Sequence, residues 1–288
     1  FYKALLKLNK PGISFFGTDV DTEVLKDEIY NHNGCHVEKR DFIKDPPQRK
    51  FKAIVANPPY IRHHRLHEET KILLKQLSMR ITGDTIDGRA GYHIYFLIQA
   101  LNLLENNGKL AFIMPADTCE GKFAKNLWKW ISEKFCIEGV ITFDERATPF
   151  PNVDTNAMVF LIKNSRPAKT LHWVKANQAY STDLFNFISS NFSEEVRSSS
   201  DNHQRFETIE IIDRQLKEGI VTGFSRPEQT HNGFKFHLND FANVMRGIAT
   251  GSNEFFFLTA QQVKELQIPK EFLKRAVGRT KDATESIL

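Results

Sequence analysis

The first 165 residues alternate short apolar runs with longer amphipathic segments. Apolar runs that end in polar or turn-forming residues are typical of buried β-strands, whereas apolar residues spaced three or four apart are typical of helices. The predicted strands are residues 13–17, 37–42, 51–56 and 109–114. The predicted helices are residues 3–9, 22–32, 92–105 and 121–134. This alternation predicts a doubly wound α/β sheet.

The pattern changes near the middle of the chain. Two apolar runs, at 137–143 and 157–162, have no helix between them, so they predict an antiparallel hairpin at the edge of the sheet. After Asn164 the chain becomes polar and rich in Ser, Asn and His. We therefore expect a first domain at residues 1–165 and a second domain at residues 166–288.

Two connecting segments carry local signals. Residues 61–90 are charged and contain several glycines, which predicts a surface helix followed by a mobile loop. Asn106, Asn107 and Gly108 follow the amphipathic pattern of residues 92–105 and are typical of a helix C-cap.

Composition narrows the class of protein only slightly. The chain is 41% hydrophobic and 26% charged, as in ordinary globular proteins, and its longest apolar run falls well short of the roughly 20 residues that span a bilayer. Cys35, Cys119 and Cys136 show no metal-binding spacing, which predicts a reduced cytoplasmic protein without a structural metal. A net charge of +4 permits an anionic partner such as DNA.

The most specific chemistry follows the predicted strand at 51–56. Asn57, Pro58, Pro59 and Tyr60 lie at its carboxyl end, where doubly wound sheets bind ligands. The exocyclic amine of adenine is a poor nucleophile, because its lone pair is delocalised into the ring. The Asn57 side-chain oxygen and the Pro58 carbonyl can each accept one amine hydrogen, and the prolines hold that carbonyl still. Tyr60 offers a flat face for a base extruded from the duplex, worth roughly 1–3 kcal/mol of stacking.

Residues 54–60 resemble the catalytic motif of DNA methyltransferases that modify amino groups. The order of the segments is similar to that of the gamma class of adenine-N6 enzymes in restriction–modification systems. The resemblance covers residues 13–165 well and the remainder loosely. It implies a Rossmann-like methyltransferase sheet, here partial, followed by a C-terminal target-recognition domain. It also implies S-adenosylmethionine as cofactor, double-stranded DNA as substrate, a restriction endonuclease domain or subunit as partner, and a bacterial or archaeal cytoplasm.

The same resemblance implies a set of cofactor-binding residues. Asp19 would bind the ribose hydroxyls of S-adenosylmethionine, and Asp41 would accept a hydrogen bond from its adenine amine. Phe42 and Phe96 would contact the adenine ring, and Asn57 would adjoin the cofactor as well as the target base. Each residue also has a structural interpretation, because the acids can cap turns and the phenylalanines can belong to the core.

A second aromatic residue is implied beside the target base. Residues 150–155 resemble the late motif of the family, in which an aromatic side chain stacks on the base opposite the tyrosine of the catalytic motif. Phe150 lies between Pro149 and Pro151, which is not typical of a core residue. We therefore expect Tyr60 and Phe150 to enclose the adenine.

Two segments carry candidate DNA contacts. Arg62, His63 and Arg65 follow the catalytic motif and are predicted to meet phosphates rather than a metal, since no acid or cysteine is spaced to complete a metal site. Residues 244–256 resemble the start of the target-recognition region in fused restriction–methylation enzymes. Arg246 and Asn253 would there meet phosphates or base edges, although a strand–turn–strand corner of a scaffold is equally consistent.

One family element is not found in the sequence. The glycine-rich loop that cradles the methionine part of the cofactor follows the first strand of the family fold, and residues 1–12 can hold only the end of the helix after it. We therefore expect this chain on its own to bind S-adenosylmethionine weakly, and the edges of neighbouring strands to be exposed.

Two other functions stay open at this point. A methyltransferase of the same fold could act on glutamine side chains of release factors or on RNA, although the long polar C-terminal part and the Phe150 motif argue against it. A non-catalytic DNA-binding module is the other alternative, favoured by the missing glycine-rich loop.

Overall fold

A computed structural model gives the fold of the chain. It describes residues 1–276 apart from 9–10, 28–29, 31–32, 87–89, 120–123, 145–146, 151–155, 193–202, 226–235, 237–239 and 244–251. The helices are α1 (Tyr2–Lys7), α2 (Glu68–Thr82), α3 (Tyr92–Asn102), α4 (Ala124–Lys134), α5 (Thr182–Ser189), α6 (Leu216–Thr222), α7 (Asn253–Phe256) and α8 (Ala260–Glu265). The strands are β1 (Phe15–Asp19), β2 (Cys35–Lys39), β3 (Phe51–Ala56), β4 (Leu104–Pro115), β5 (Cys136–Phe143), β6 (Ala157–Lys163), β7 (Thr170–Ala176), β8 (His203–Arg205) and β9 (Ile209–Gln215).

Within the described ranges, seven strands form one mixed sheet in the order β3-β4-β6-β5-β7-β9-β8, and β1 and β2 form a separate parallel pair. The pairs β3–β4 and β5–β7 are parallel, whereas β6 runs antiparallel between β4 and β5. It follows that β3, β4 and β5 run in the same direction, so their carboxyl ends lie at one edge of the sheet. The segments that follow these three strands are thereby placed side by side.

Apolar residues cover both faces of the sheet, which confirms the predicted doubly wound α/β arrangement. Successive side chains of a strand point to opposite faces, and Val140 belongs to the larger apolar core while the adjacent Ile141 belongs to the smaller one. In the larger core, Trp128 of α4 stacks on Phe160 of β6 with ring centroids 4.4 Å apart. In the smaller core, Phe187 of α5 is fully buried. Among the described residues, none of the helices combines the length and the apolarity that a membrane span requires.

The predicted pairing of residues 137–143 with 157–162 is confirmed, because β5 and β6 pair antiparallel with Val140 opposite Phe160. Their predicted position at the edge of the sheet is wrong. The strand β6 lies inside the sheet, and β7 continues the sheet beyond β5. The physical reason is the apolar content of β7, in which Leu171, Trp173 and Val174 are all buried.

The sheet extends past residue 165, where the sequence predicts a domain boundary. Three strands of the sheet follow that residue, and the first compact unit runs from Phe1 to Gln229. The second compact unit runs from Thr230 to Leu288. The assignment of methyl transfer to residues 1–165 and of target recognition to residues 166–288 stays a prediction.

The prediction of a continuous helix over residues 22–32 is wrong. The described part of this stretch contains a 3-10 helix at Val24–Lys26, after which Asp27 has an extended backbone. A helix this short depends on burying an apolar face, and Val24 is instead 49% exposed.

The predicted helix cap at residues 106–108 is also wrong, because α3 ends at Asn102 and these residues belong to β4. They form an irregularity in the ladder, where the register with β3 shifts between Phe51 and Ala53. Asn107 has a positive φ of 61°. A side chain at Gly108 would come within 2.9 Å of the Phe51 carbonyl, so the same Asn-Gly signal serves a strand irregularity here.

Candidate active site

The loop that follows β3 is fixed against the first turn of α3. The Tyr92 backbone N–H donates to the Ile61 carbonyl at 2.9 Å. The Tyr60 ring meets the His93 ring edge-on, with centroids 5.6 Å apart. A Cβ atom at Gly91 would come within 2.7 Å of the His93 ring, so this close packing requires glycine at the start of the helix. The loop of residues 57–60 is therefore held by a buried helix rather than left free.

The Tyr60 hydroxyl lies within hydrogen-bond distance of two oxygens. It is 2.9 Å from Asn57 Oδ1 and 3.0 Å from the Ile113 carbonyl of β4. Partial burial raises the pKa of Tyr60 to about 12, so the hydroxyl is neutral and a donor at physiological pH. Pro58 is buried and Asn57 is exposed. The motif thus presents the asparagine outward from a fixed backbone.

His93 is a site residue that the sequence did not predict. It is 8% exposed, and burial lowers its pKa to about 4, with the charge of Asp117 acting in the opposite direction. Its Nε2 lies 2.8 Å from the Thr118 hydroxyl. Thr118 belongs to the 3-10 turn Ala116–Cys119 that follows β4, so the neutral imidazole links α3 to that turn. In the sequence, a histidine on an apolar helix face is typical of a core residue. Its position behind Tyr60 is visible only from its contacts in the folded chain.

The two predicted cofactor acids lie at the ends of paired strands. Asp19 ends β1, and its carbonyl accepts a hydrogen bond from the Arg40 N–H at 3.0 Å, one residue before Asp41. Oδ1 of Asp19 accepts from the backbone of Asp21 at 2.9 Å, and Oδ1 of Asp41 accepts from the backbone of Ile43 at 2.9 Å. Both acids therefore stabilise turns. Within the described part of the chain, Oδ2 of each acid makes no hydrogen bond.

Aromatic rings lie beside Asp41. Phe42 and Phe96 stack with centroids 5.5 Å apart and planes 21° from parallel, and Tyr92 meets Phe96 edge-on at 5.1 Å. Burial and then the negative charge of Asp41 raise the pKa of Tyr92 to about 12. The structure thus brings Asp41, Phe42 and Phe96 together, as the sequence implied.

These side chains have the chemistry that a nucleoside group such as that of S-adenosylmethionine requires. A flat apolar ring surface suits a purine, and carboxylate oxygens are acceptors for amine and hydroxyl hydrogens. Asp41, Phe42 and Phe96 would hold the adenine, and Asp19 would bind the ribose. The described residues contain no group of three His, Cys, Asp or Glu side chains arranged to hold a metal ion.

Phe150 follows β5, at the edge of the sheet where the catalytic motif follows β3. Its side chain is half-buried, and its N–H donates to the Thr148 hydroxyl at 3.3 Å. Phe150 and Tyr60 are both described and make no ring contact with each other, and their enclosure of the adenine stays a prediction. Residues 151–155 of the predicted motif lie outside the described part of the chain.

The candidate DNA contacts are placed only in part. Arg62 and Arg65 are exposed, and the 3-10 helix His63–Arg65 lies shortly after the loop of residues 57–60. Arg246 lies outside the described residues, and so does the side chain of Asn253, whose backbone begins α7. Contacts of these residues with DNA stay predictions.

Two solved structures share the fold of this chain. A Listeria monocytogenes protein described as a class I S-adenosylmethionine-dependent methyltransferase superposes with a TM-score of 0.51 at 16% identity, over 66% of this chain and 59% of that one. The type IIG restriction endonuclease BpuSI superposes with a TM-score of 0.56 at 16% identity, over 73% of this chain and 26% of that one. The fold is thus a methyltransferase-like α/β sheet.

Sequence comparison then gives the family. Residues 6–150 match the model of the Eco57I restriction-modification methylases, and the chain belongs to this family. Type II methyltransferase M.AccI from Acinetobacter calcoaceticus is 24% identical to this chain over an alignment of 302 residues. The alignment covers 99% of this chain. The match covers 52% of the Acinetobacter protein, so this chain spans about half of that relative's length.

Proposed function

We propose that this chain carries the catalytic residues of a DNA methyltransferase that transfers a methyl group from S-adenosylmethionine to N6 of an adenine flipped out of double-stranded DNA. The observation that carries the proposal is the loop of residues 57–60, fixed at the carboxyl end of β3 by the Tyr60 hydroxyl and by α3. The acid and aromatic cluster around Asp41 lies against the same helix turn, so methyl donor and target base have neighbouring sites.

The chain's own residues act on the amine. Asn57 Oδ1 and the Pro58 carbonyl accept the two amine hydrogens, which favours a pyramidal nitrogen with a more available lone pair. The bound cofactor supplies a methyl carbon on a sulfonium leaving group. Transfer would exchange the C–S bond of that sulfonium for a bond to N6, and the amine would lose one proton to water, because the Asn57 amide is an acceptor and not a base. The Tyr60 ring on one side and Phe150 on the other hold the base during transfer.

The named relatives favour methyl transfer in a restriction-modification system over the alternative functions. M.AccI is named a type II methyltransferase, and the matching family is one of restriction-modification methylases. A restriction endonuclease domain or subunit is the partner proposed for the intact protein, because BpuSI is itself a type IIG restriction endonuclease. The exposed arginines after the catalytic loop supply charge for a phosphate backbone.

The test is modification-sensitive sequencing of DNA from a host that expresses the intact gene. We expect N6-methyladenine at one defined sequence motif. An Asn57→Ala version serves as the matched control, because the residue is exposed and its loss leaves the core unchanged. That version should leave the motif unmodified while the protein stays soluble.

Two results would contradict the proposal. Unmodified DNA from a host with soluble protein would favour release-factor glutamine or RNA as substrate, which a panel of these substrates would then identify. Failure of the intact protein to bind S-adenosylmethionine in a titration would favour a non-catalytic DNA-binding role.

A further inference from the structure

The Tyr60 hydroxyl has more acceptors than it has hydrogens. A tyrosine hydroxyl carries one hydrogen, so it donates to one oxygen at a time, while its own oxygen can accept. Asn57 Oδ1 and the Ile113 carbonyl nevertheless both lie within 3.0 Å of it. One hydrogen cannot serve both oxygens at full strength, so at least one of these two contacts is weak when Oδ1 faces Tyr60.

The Ile113 carbonyl is the fixed partner of the two. The strand β3 ends at Ala56, which lies opposite Phe112 of β4, so Ile113 is the first residue beyond that pairing. On its other side β4 stays in the ladder, with Ile113 opposite Val159 of β6. The carbonyl is thus held by the sheet, and the Tyr60 hydroxyl is the donor that reaches it where β3 has ended.

The Asn57 amide is the partner that can turn. A rotation of 180° about its last side-chain bond exchanges Oδ1 and Nδ2 with almost no change in shape. With Nδ2 toward Tyr60, the amide donates to the tyrosine oxygen and the hydroxyl donates to Ile113. This orientation makes two hydrogen bonds, whereas the orientation with Oδ1 toward Tyr60 makes one at a time. Asn57 is exposed, so the opposite side of the amide faces outward.

We infer that the Tyr60 hydroxyl is a positioning group, which takes its own orientation from the Ile113 carbonyl and turns the Asn57 amide so that Oδ1 faces the substrate. The inference rests on the proposed function, because the outward oxygen is the one that accepts from the adenine amine. It gives Tyr60 two separable roles: its ring stacks on the base, and its hydroxyl selects which amide atom the base meets. An amide turned the other way would offer an N–H to an amine that also donates, which is repulsive.

The test compares the intact protein with its Tyr60→Phe variant, which keeps the ring and removes only the hydroxyl. The measurements are kcat and KM for methyl transfer to DNA containing the modified motif, together with Tm. We expect kcat to fall about tenfold, as for the loss of one hydrogen bond in a preorganised site, with KM for DNA within about twofold. Tyr180→Phe is the matched control, because Tyr180 is 94% exposed, and it should leave both constants unchanged.

Each other result would overturn the inference. An unchanged kcat would show that the hydroxyl has no part in the reaction. A rise in KM at constant kcat would assign it to DNA binding, and a fall in kcat that follows a large fall in Tm would assign it to folding. Unsubstituted protein that leaves adenine unmethylated would remove the proposed function and this inference together, whereas active unsubstituted protein with an equally active Tyr60→Phe variant would remove only this inference.

Discussion

Lowering the pH from 7 to 4 should destabilise the folded chain by roughly 3 kcal/mol through His93 alone. Burial lowers the pKa of His93 from 6.5 to about 4 in the folded state. The unfolded chain therefore takes up a proton near pH 6.5, and the folded chain does so only near pH 4. The contribution of neutral His93 is fully present above pH 6.5 and is lost as the pH falls toward 4, and a pKa difference of this size corresponds to roughly 3 kcal/mol.

The geometry around the ring explains why protonation is unfavourable. Nε2 of His93 already has the Thr118 hydroxyl as its partner. Nδ1 is buried and has no hydrogen-bond partner in the described part of the chain. A protonated imidazole would carry an N–H at both nitrogens, so the second N–H would be buried without an acceptor, and the charge would lose its hydration.

The assay is urea unfolding at a series of pH values between 7 and 4. Carboxylates also titrate in this range, so the comparison is between the unsubstituted protein and His93→Gln, which keeps a polar group near Thr118 and cannot gain a proton. His64→Gln is the control, because His64 is exposed. The unfolding free energy of the unsubstituted protein should approach that of His93→Gln as the pH falls. Its difference from His64→Gln should stay constant with pH. If His93→Gln loses as much stability between pH 7 and 4 as the unsubstituted protein does, the reasoning from burial is wrong.

Three further outcomes are expected. Phe150→Ala should reduce the rate of methyl transfer by about 5- to 150-fold while the Kd for S-adenosylmethionine stays within about twofold, because a base stack is worth roughly 1–3 kcal/mol; equal losses in both would defeat the assignment. Asp41→Asn keeps an oxygen for the turn at Ile43 but removes the charge, so Kd for the cofactor should rise about tenfold in a calorimetric titration with Tm nearly unchanged, and an unaltered Kd would leave Asp41 a turn residue. Arg65→Ala should weaken DNA binding at all sequences and reduce the slope of log K against log salt by about 1, whereas an unchanged slope would exclude a phosphate contact.

The sequence predicted the elements that are decided by short-range apolar pattern. The strands at Phe51–Ala56 and Ala157–Lys163 are each a dense apolar run, and their positions follow from it. The placement of Asn57 at a carboxyl end follows as well, because the following prolines stop the strand. These signals need no knowledge of distant parts of the chain.

Other features depend on distant contacts and could not be predicted in the same way. The 3-10 helix at Val24–Lys26 replaces a longer helix because its apolar side is poorly buried, with Val24 49% exposed. The segment after Asn164 looks polar on average, which hides the buried positions of β7 and β9, although the alternation within Thr170–Ala176 was a usable signal. The role of His93 depends on Thr118 and Tyr60, which lie 25 and 33 positions away along the chain.

The first turn of α3 serves both halves of the candidate site. Tyr92 packs on the Phe96 ring beside Asp41, and the next residue, His93, packs on Tyr60. If a ligand in one half shifts this turn, the affinity of the other half changes, and such linkage is reciprocal: whatever factor the cofactor adds to the affinity for DNA, DNA adds to the affinity for the cofactor. The final complex with both ligands would then be the same whichever ligand binds first. The protein with one ligand bound would bind the other with an altered Kd.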